Sequence, residues 1–212
     1  MYRCHPQTKK LVELIQSGTI GQIKFIEASF GFAGGPDPES RLNNPDLGGG
    51  GILDVGTYPV SLARLVAGVV DGNASANPTE VKATGVMTDT GVDAVAAASL
   101  KFANGIIAQC STAIRANLPN RAVIIGSEGK ITLNNPWIAS RNQPPKGEII
   151  VNAKGKDEQV IECPTDRNSY AHEADFFAEA IASDSKEAAF PAMTPDDTLG
   201  QMAALDAWRQ QI

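Results

Sequence analysis

A run of four glycines, Gly48 to Gly51, leads directly into an apolar segment that carries Asp54 and Tyr58. Consecutive glycines cost conformational entropy on folding and leave one patch of backbone bare, so another group must approach that patch closely. The flat ring of a ligand is one candidate. On a helix, a spacing of four residues puts Asp54 and Tyr58 on one face. Because tyrosine can transfer protons once its pKa is lowered, and a carboxylate can orient it, the motif indicates half of an active site.

Apolar periodicity, with Gly and Pro at the boundaries, divides the rest of the chain into helices and strands. Helical periodicity is found from Pro6 to Gly18 and over residues 52–66, 169–182 and 195–210. Alternation or short apolar runs predict strands over residues 21–32, 81–87, 94–102, 106–112, 123–125, 130–133, 148–151 and 159–163. Residues 33–47 are rich in Gly, Pro, Asp and Asn and predict a loop. The pair Asn104-Gly105 predicts a type I′ hairpin turn.

This order of elements predicts an α+β fold. Strands that follow one another through short turns favour an antiparallel sheet, and the helices at both ends of the chain would pack on it. There is no internal repeat and no low-complexity linker, so residues 1–212 are expected to form a single domain.

Composition excludes several classes of partner. The formal net charge is −6 and the basic residues are scattered, which argues against a nucleic-acid partner. No apolar run approaches the roughly 20 residues of a membrane span, so no membrane partner is expected. Cys4, Cys110 and Cys163 have no zinc-site spacing, and His5 and His172 are the only histidines. We therefore expect reduced thiols, a cytoplasmic protein and no metal centre.

Six short segments of the chain carry a recognisable pattern in combination. They are Tyr2–Gln7, Leu14–Gly21, Gly49–Tyr58 with its Asp54-x-Gly56-x-Tyr58 motif, Ile125–Ile131, Tyr170–Glu173 and Met193–Asp197. Together they resemble the glucose-fructose oxidoreductase, inositol dehydrogenase and rhizopine-catabolism (Gfo/Idh/MocA) family. The resemblance covers nearly the whole chain, and it is to the family's C-terminal domain only.

The resemblance implies an open, mostly antiparallel sheet with helices packed on one face. It also implies an N-terminal Rossmann domain that binds NAD or NADP, together with a catalytic lysine in a Glu-Lys-Pro segment, both upstream of Met1. The chain itself has no GxGxxG between a strand and a helix, so a Rossmann domain is absent from it. The chain is expected to be either a fragment of such an enzyme or a stand-alone domain.

The resemblance also implies roles for individual residues. Tyr58 would transfer the proton and contact the cofactor, and Asp54 would hold a neighbouring substrate hydroxyl or orient the catalytic group. Gly50 and Gly51 would let the cofactor approach. Arg3 and Arg41 would bind substrate. The alternative for Arg3 is a surface arginine without a role in the site, and the alternative for Arg41 is a solvated loop charge.

His172 is the remaining candidate for substrate binding, with helix capping or packing as its alternative. His5 could cap the first helix. Sheet residues with small side chains could mark a homodimer interface, as the family commonly dimerises through its sheet, or could be covered by helices.

Two functions follow from these expectations. The first is the substrate-binding and catalytic domain of an NAD(P)-dependent oxidoreductase that acts on sugars, polyols or related alcohols, with the fragment alone inactive. The second is a stand-alone, non-catalytic module that either binds a sugar or serves as a regulatory or dimerisation domain. The intact Asp54-x-Gly56-x-Tyr58 motif favours the first, and the missing cofactor domain favours the second.

Overall fold

The computed structural model describes residues 1–140 and 146–212, and one sheet of eight strands runs through this part of the chain. The strands are β1 Ile23–Gly31, β2 Pro78–Met87, β3 Asp93–Phe102, β4 Ile107–Ala113, β5 Arg121–Gly126, β6 Gly129–Asn134, β7 Lys146–Ala153 and β8 Gln159–Pro164. The helices are α1 Pro6–Gln16, α2 Gly51–Asp54, α3 Thr57–Val70, α4 Ser169–Ala182 and α5 Pro195–Arg209. Short 3-10 helices occur at Tyr2–Cys4, Pro45–Leu47 and Pro136–Ile138.

The strand order is β2-β3-β4-β1-β5-β6-β7-β8, so the first strand of the chain lies inside the sheet and the sheet is open at β2 and β8. β1 pairs in parallel with β4, whereas the other pairings in the described chain are antiparallel. The predicted open, mostly antiparallel α+β sheet is therefore confirmed.

Helices cover one face of the sheet. On β1, Ile26 and Ala28 point into the core and are buried, while Glu27 and Ser29 on the other face remain partly exposed. Helices α1, α3 and α5 pack on the buried face, and α3 is the most deeply enclosed of them. The predicted placement of the helices on one face is confirmed.

The helix predicted over residues 52–66 is interrupted. α2 ends at Asp54, and α3 begins at Thr57 after a break at Val55 and Gly56. A Cβ atom on Gly56 would lie 2.8 Å from the Cα and carbonyl oxygen of Ile52, so only glycine allows the chain to turn this tightly. The expectation that Asp54 and Tyr58 share a face of one continuous helix is wrong.

The turn between β3 and β4 also differs from the prediction. Gly105 has φ +83°, but Asn104 does not have the positive φ that a type I′ turn requires. Phe102 and Ile106 close a three-residue loop with Gly105 in the left-handed position. The Asn104 side chain instead donates to the carbonyl of Ala67 in α3 at 3.0 Å, which ties the loop to the helix layer.

The glycine run makes room for a carboxylate from β3. A Cβ atom on Gly50, which has φ +102°, would lie 2.2 Å from Oδ1 of Asp93. Oδ2 of Asp93 accepts from the backbone N–H of Ile52 at 2.9 Å, and Thr112 Oγ1 donates to the Gly51 carbonyl at 2.9 Å. Burial raises the pKa of Asp93. The close approach at Gly50 and Gly51 is thus occupied by side chains of β3 and β4.

A buried ion-pair network joins both ends of the chain to α3. Asp197, in the first turn of α5, accepts from Arg3 at 2.8 Å and from Arg64 of α3 at 2.5 Å. Arg64 also donates to the Asn77 side chain at 2.8 Å. The side chains of all three charged residues are at most 4% exposed. Burial of this kind makes each partner costly to remove.

His5 caps α1, as predicted. Its Nδ1 accepts from the backbone N–H of Gln7 at 3.0 Å, so Nε2 carries the proton and donates to Ser140. Burial, assisted by the neighbouring His172, lowers the pKa of His5 to about 4. Protonation at Nδ1 would break the cap, because that nitrogen must remain an acceptor.

We predict that Asp197→Asn lowers the free energy of unfolding by about 3–5 kcal/mol, because two arginines lose a buried counter-charge. Asp196→Asn is the matched control: Asp196 is exposed one residue earlier in α5, and its change should stay within about 1 kcal/mol. Urea denaturation of both variants provides the measurement. Equal losses in the two variants would contradict the role given to Asp197.

Gly50→Ala should destabilise the fold by roughly 2 kcal/mol or more, because it combines a positive φ with a clash against Asp93. Gly35→Ala is the control, since a Cβ atom on Gly35 meets no atom within 4 Å. We expect its stability to be unchanged or slightly raised. Thermal unfolding compares the two, and a stable Gly50→Ala protein would argue against the packing of Asp93 on the glycine run.

The lowered pKa of His5 predicts a pH dependence of stability. Between about pH 6.5 and about pH 4 the unfolded chain binds a proton at this residue that the folded chain does not, so stability falls as pH falls through this window. His5→Asn keeps a capping acceptor and removes the titration, so its stability should depend less on pH. His172→Asn serves as the comparison, and most of the slope should remain in it. An unchanged slope in His5→Asn would exclude His5 as the cause.

Candidate active site

Tyr58 stands in the first turn of α3 with its ring held by other aromatic side chains. Its ring centroid is 5.2 Å from that of Phe30 in β1, 5.9 Å from Tyr2 and 5.9 Å from Trp137. Trp137 is fixed in turn by a hydrogen bond from its Nε1 to the Ser29 carbonyl at 2.9 Å. The ring of Tyr58 therefore has little freedom to move.

The hydroxyl of Tyr58 is free, in contrast to its ring. It makes no hydrogen bond to any residue that the structure describes, whereas the hydroxyl of Tyr2 donates to Ser61 at 2.9 Å. Tyr58 lines a pocket of about 460 Å³ between the N-terminal residues, the start of α3, α4 and the segment before α5. Glu173, Phe177 and Met193 contribute to its walls. A phenol hydroxyl without a partner in a largely apolar pocket can form a hydrogen bond with a polar atom of a bound molecule.

The surroundings of Tyr58 keep it protonated. Burial raises its pKa above the ordinary value of 10, and the negative charge of Asp54 and Glu173 raises it further. Proton abstraction near neutral pH would require a cation close to the phenol, to bring the pKa down.

Arg41 and Asp54 are brought together by the loop before the glycine run. Arg41 donates to the Asp54 carboxylate at 2.7 Å. The Arg41 side chain is 69% exposed and that of Asp54 is 17% exposed, so the pair is open to solvent from the arginine side. Neither residue lines the 460 Å³ pocket, but Asp54 lies close enough to Tyr58 to affect its pKa.

Arg3 lines the pocket but is deeply buried, and the alternative of a surface arginine is wrong. Its Nε donates to the Pro191 carbonyl at 2.7 Å, and its two terminal nitrogens donate to Ser61 and Asp197. Most of its donors are therefore used within the fold. A substrate-binding role for Arg3 remains a prediction.

His172 lies in the first turn of α4 and does not line the pocket. Its Nε2 is 2.8 Å from Thr165 Oγ1, and its ring stands edge-on to His5 at 5.5 Å between centroids. Burial lowers its pKa. The helix is capped by Asn168, whose side chain accepts from the N–H groups of Tyr170 and Ala171. These contacts describe packing, and the predicted substrate contact of His172 is not tested by them.

Several residues that shape the site have weak signals in the sequence. Asp93 acts through a long-range contact, and nothing in its local sequence marks it as buried. Trp137 belongs to a short 3-10 helix without periodicity. Tyr2, Glu173 and Asp197 could have been identified as site residues from the sequence, because all three belong to segments that carry the family resemblance.

Within residues 1–140 and 146–212, no group of three or more His, Cys, Asp or Glu side chains is arranged to hold a metal ion. No single helix in this part of the chain has the length and hydropathy of a membrane span. The segments Pro45–Asp54 and Thr57–Val70 have that length and hydropathy only when they are counted as one helix, and the chain bends by 50° between them.

Comparison with known proteins finds relatives that are oxidoreductases. Trans-1,2-dihydrobenzene-1,2-diol dehydrogenase of Danio rerio is 36% identical over 131 residues, which cover 61% of this chain and 36% of the relative. D-xylose 1-dehydrogenase (NADP(+)) 2 of Haloferax volcanii is 27% identical over 208 residues, covering 98% of this chain and 59% of the relative. The chain thus spans about a third to three fifths of the length of these relatives.

A solved structure has the same fold. Aldose-aldose oxidoreductase of Caulobacter crescentus, crystallised with glycerol, superimposes with a TM-score of 0.81 at 22% identity, covering 99% of this chain and 59% of that protein. Residues 8–132 match the family model described as the GFO/IDH/MocA C-terminal domain. With more than half of its length matched by this model, the chain belongs to the Gfo/Idh/MocA family.

Proposed function

We propose that this chain is the substrate-binding and catalytic domain of an NAD(P)-dependent oxidoreductase that acts on CH–OH groups of sugars, polyols or related alcohols. The observation that carries the proposal is the fixed ring and free hydroxyl of Tyr58 in a pocket of about 460 Å³. The Danio rerio and Haloferax volcanii relatives are dehydrogenases of a dihydrodiol and a pentose, and they supply the reaction class.

The residues present fit the nicotinamide end of the cofactor. The walls around Tyr58 are mostly apolar and leave the phenol oxygen unpartnered, which suits an aromatic ring beside a reacting oxygen. NAD or NADP would accept or supply the hydride. In this proposal, an N-terminal Rossmann domain of the same protein holds the adenine and pyrophosphate. A backbone contact of Gly50 or Gly51 with the cofactor stays a prediction, since both glycines are buried with Asp93 and Thr112 packed against them.

Tyr58 would transfer the proton that accompanies the hydride. In the oxidation direction the phenolate accepts the proton of the substrate hydroxyl while the carbon loses a hydride; in the reduction direction the phenol returns a proton to the carbonyl oxygen. Because burial and nearby carboxylates raise the pKa of Tyr58, this step needs a cation beside the phenol. The lysine of the family's Glu-Lys-Pro segment, on the N-terminal domain, is suited to supply it.

Asp54 would orient the substrate. A carboxylate accepts hydrogen bonds from hydroxyl groups, and Arg41 at 2.7 Å holds the Asp54 carboxylate in place while its own exposed guanidinium stays available to a polyol. Arg3 and His172 are secondary candidates: Arg3 could offer its remaining donor at the pocket wall, and His172 could reach substrate only beyond its contact with Thr165.

The open face of the sheet is the proposed homodimer surface. Partly exposed small and aliphatic side chains such as Val95, Ala97 and Ile107 lie on the face that the helices leave uncovered. Such a face can pair with a second copy of itself around a two-fold axis.

The alternative is a module that binds a sugar-like ligand without redox chemistry. The raised pKa of Tyr58 favours it, because a protonated phenol without a neighbouring cation can hydrogen-bond to a ligand but cannot abstract its proton. The two functions differ in whether the pocket supports turnover.

Tyr58→Phe tests the proposal in the full-length gene product. We expect turnover with an aldose or polyol and NAD(P) to fall roughly 10²–10⁴-fold, because the variant lacks the proton-transfer group. Cofactor affinity and thermal stability should stay near those of the parent protein, because only one hydroxyl without a partner in the described chain is removed.

Asp54→Asn is the companion variant, with an expected rise in KM for polyols that exceeds the fall in kcat. Full turnover in Tyr58→Phe would remove Tyr58 from the mechanism. Ligand binding by a parent protein that shows no NAD(P)-linked turnover would favour the non-catalytic module.

A further inference from the structure

The loop over residues 33–47 is held together by a buried polar side chain. Of its residues, all of which the structure describes, Asn43 alone is buried. The side-chain nitrogen of Asn43 donates to the carbonyl of Gly35 at 3.0 Å and to that of Asp37 at 2.7 Å. Its side-chain oxygen accepts from Arg115 at 2.7 Å. Both hydrogens of this amide and its oxygen are therefore in use, and the loop folds around Asn43.

Arg115 reaches the loop from the segment after β4. One terminal nitrogen of its guanidinium donates to the carbonyls of Gly34 and Gly35, and the other donates to Asn43. The backbone of Arg115 also pairs with Ala33. The planar fork of a guanidinium can hold several acceptors at fixed angles, which a single ammonium group cannot do. Asn43 and Arg115 thus act as one unit, and we call these two residues the loop clamp.

The loop clamp is connected to the glycine run through the residues on either side of Asn43. The Leu42 carbonyl accepts from the backbone N–H of Gly50 at 2.9 Å, and the Asn44 carbonyl accepts from that of Gly49 at 3.0 Å. A Cβ atom on Gly49 would lie 2.8 Å from each of these two carbonyl oxygens, so the two segments are in close contact. The position of Asn43 therefore sets the position of the loop against the glycine run.

Arg41 and Asp54 lie on the two segments that are joined in this way. Arg41 precedes Asn43 by two residues, and Asp54 follows the glycine run in α2. The Arg41 side chain is 69% exposed, so water competes for its 2.7 Å contact with Asp54. An exposed ion pair contributes little to holding its own residues in place. The geometry of this pair therefore depends on the backbone that carries it.

We propose that Asn43 and Arg115 are positioning residues for the substrate site. They hold the loop so that Arg41 and Asp54 present a donor and an acceptor to the substrate hydroxyls in a fixed arrangement. Groups that are already in place when a ligand arrives bind it more tightly, because less entropy is lost on binding. Neither clamp residue lines the 460 Å³ pocket, so both act through the loop. This inference rests on the proposed function, which assigns the substrate contacts.

Amide hydrogen exchange in the full-length gene product tests the loop clamp without any substrate. In Asn43→Asp the carboxylate can still accept from Arg115, but it has no donor for the two loop carbonyls and repels them, so the loop should open. Peptides that cover residues 33–50 should then exchange several-fold faster, and those of β6 should not change. Asn73→Asp is the matched control. Asn73 is exposed, so the same change in charge there should leave the exchange of both segments unaltered.

Steady-state kinetics of the full-length protein test the positioning role. In Arg115→Ala we expect KM for an aldose or polyol to rise roughly tenfold, with a smaller change in kcat. KM for NAD(P) should not change, because the clamp acts on the loop and leaves the ring of Tyr58 in place. Millimolar guanidinium chloride should lower the raised KM by filling the space of the lost side chain, whereas sodium chloride at the same concentration should not. A general loss of stability would not be reversed in this way.

Arg115→Lys is the second variant, for use if Arg115→Ala does not fold. Lysine keeps the positive charge but lacks the fork, so KM and loop exchange should lie between those of the parent protein and those of Asn43→Asp. Values equal to those of the parent protein would show that the fork of Arg115 is not needed, which would contradict the inference.

Two further results would overturn the inference. One is unchanged exchange of residues 33–50 in both Asn43→Asp and Arg115→Ala, because the loop would then be held without the clamp. The other is faster loop exchange with an unchanged KM for the aldose or polyol, because the position of the loop would then not affect substrate binding. An Arg115→Ala protein whose KM does not respond to guanidinium would also count against a positioning role.

The same measurements separate this inference from the proposed function. Turnover by the parent protein, together with unchanged KM and loop exchange in the variants, would retain the proposed function and reject the positioning role. A parent protein that binds the aldose or polyol without NAD(P)-linked turnover would reject the proposed function. Weaker binding of the same ligand in Arg115→Ala, measured by calorimetry, would then retain the positioning role, and equal binding would reject it.

Discussion

The carboxylate of Asp197 holds three distant parts of the chain at one point. Its two oxygens are paired with Arg3 at the N-terminus and Arg64 in α3, while the residue itself begins α5. A buried charge of this kind adds little net stability over an apolar core, but losing one partner is expensive, so the arrangement has few alternatives. The position of the N-terminal turn beside α3 depends on it, and with it the wall that Tyr2 forms against Tyr58.

The candidate site combines a rigid ring with an open hydroxyl. Three aromatic neighbours fix the plane of Tyr58, and the break at Gly56 sets the direction in which α3 leaves α2. The glycine run next to it is packed against Asp93, so the backbone that presents Asp54 is supported from the sheet. Reactive groups held this way lose little entropy when a ligand arrives.

Local sequence patterns predicted much of this fold, because the spacing of apolar residues within a helix or strand shows which of its sides is buried. Helices α1, α4 and α5 and the strands from Ile23–Gly31 to Gln159–Pro164 lie close to their predicted positions. The interruption after Asp54 was missed because it depends on how closely Gly56 approaches Ile52. For the site, the Asp54-x-Gly56-x-Tyr58 motif pointed to Asp54 and Tyr58, and the family resemblance pointed to Arg41. The buried carboxylate of Asp93 has no local signature, and the segment that contains Asp197 does not show that this residue pairs with two arginines from remote segments.

The position of β1 inside the sheet has a consequence for how the chain is assembled. β1 is the first strand along this chain, yet its two neighbours are β4 and β5, which follow only after α3 and two further strands. During synthesis both edges of β1 must therefore wait, with unpaired N–H and C=O groups, until the middle of the chain has emerged. Pairing between strands that are far apart in sequence is slow. The centre of the sheet, where β1 joins β4 and β5, is therefore formed late in folding.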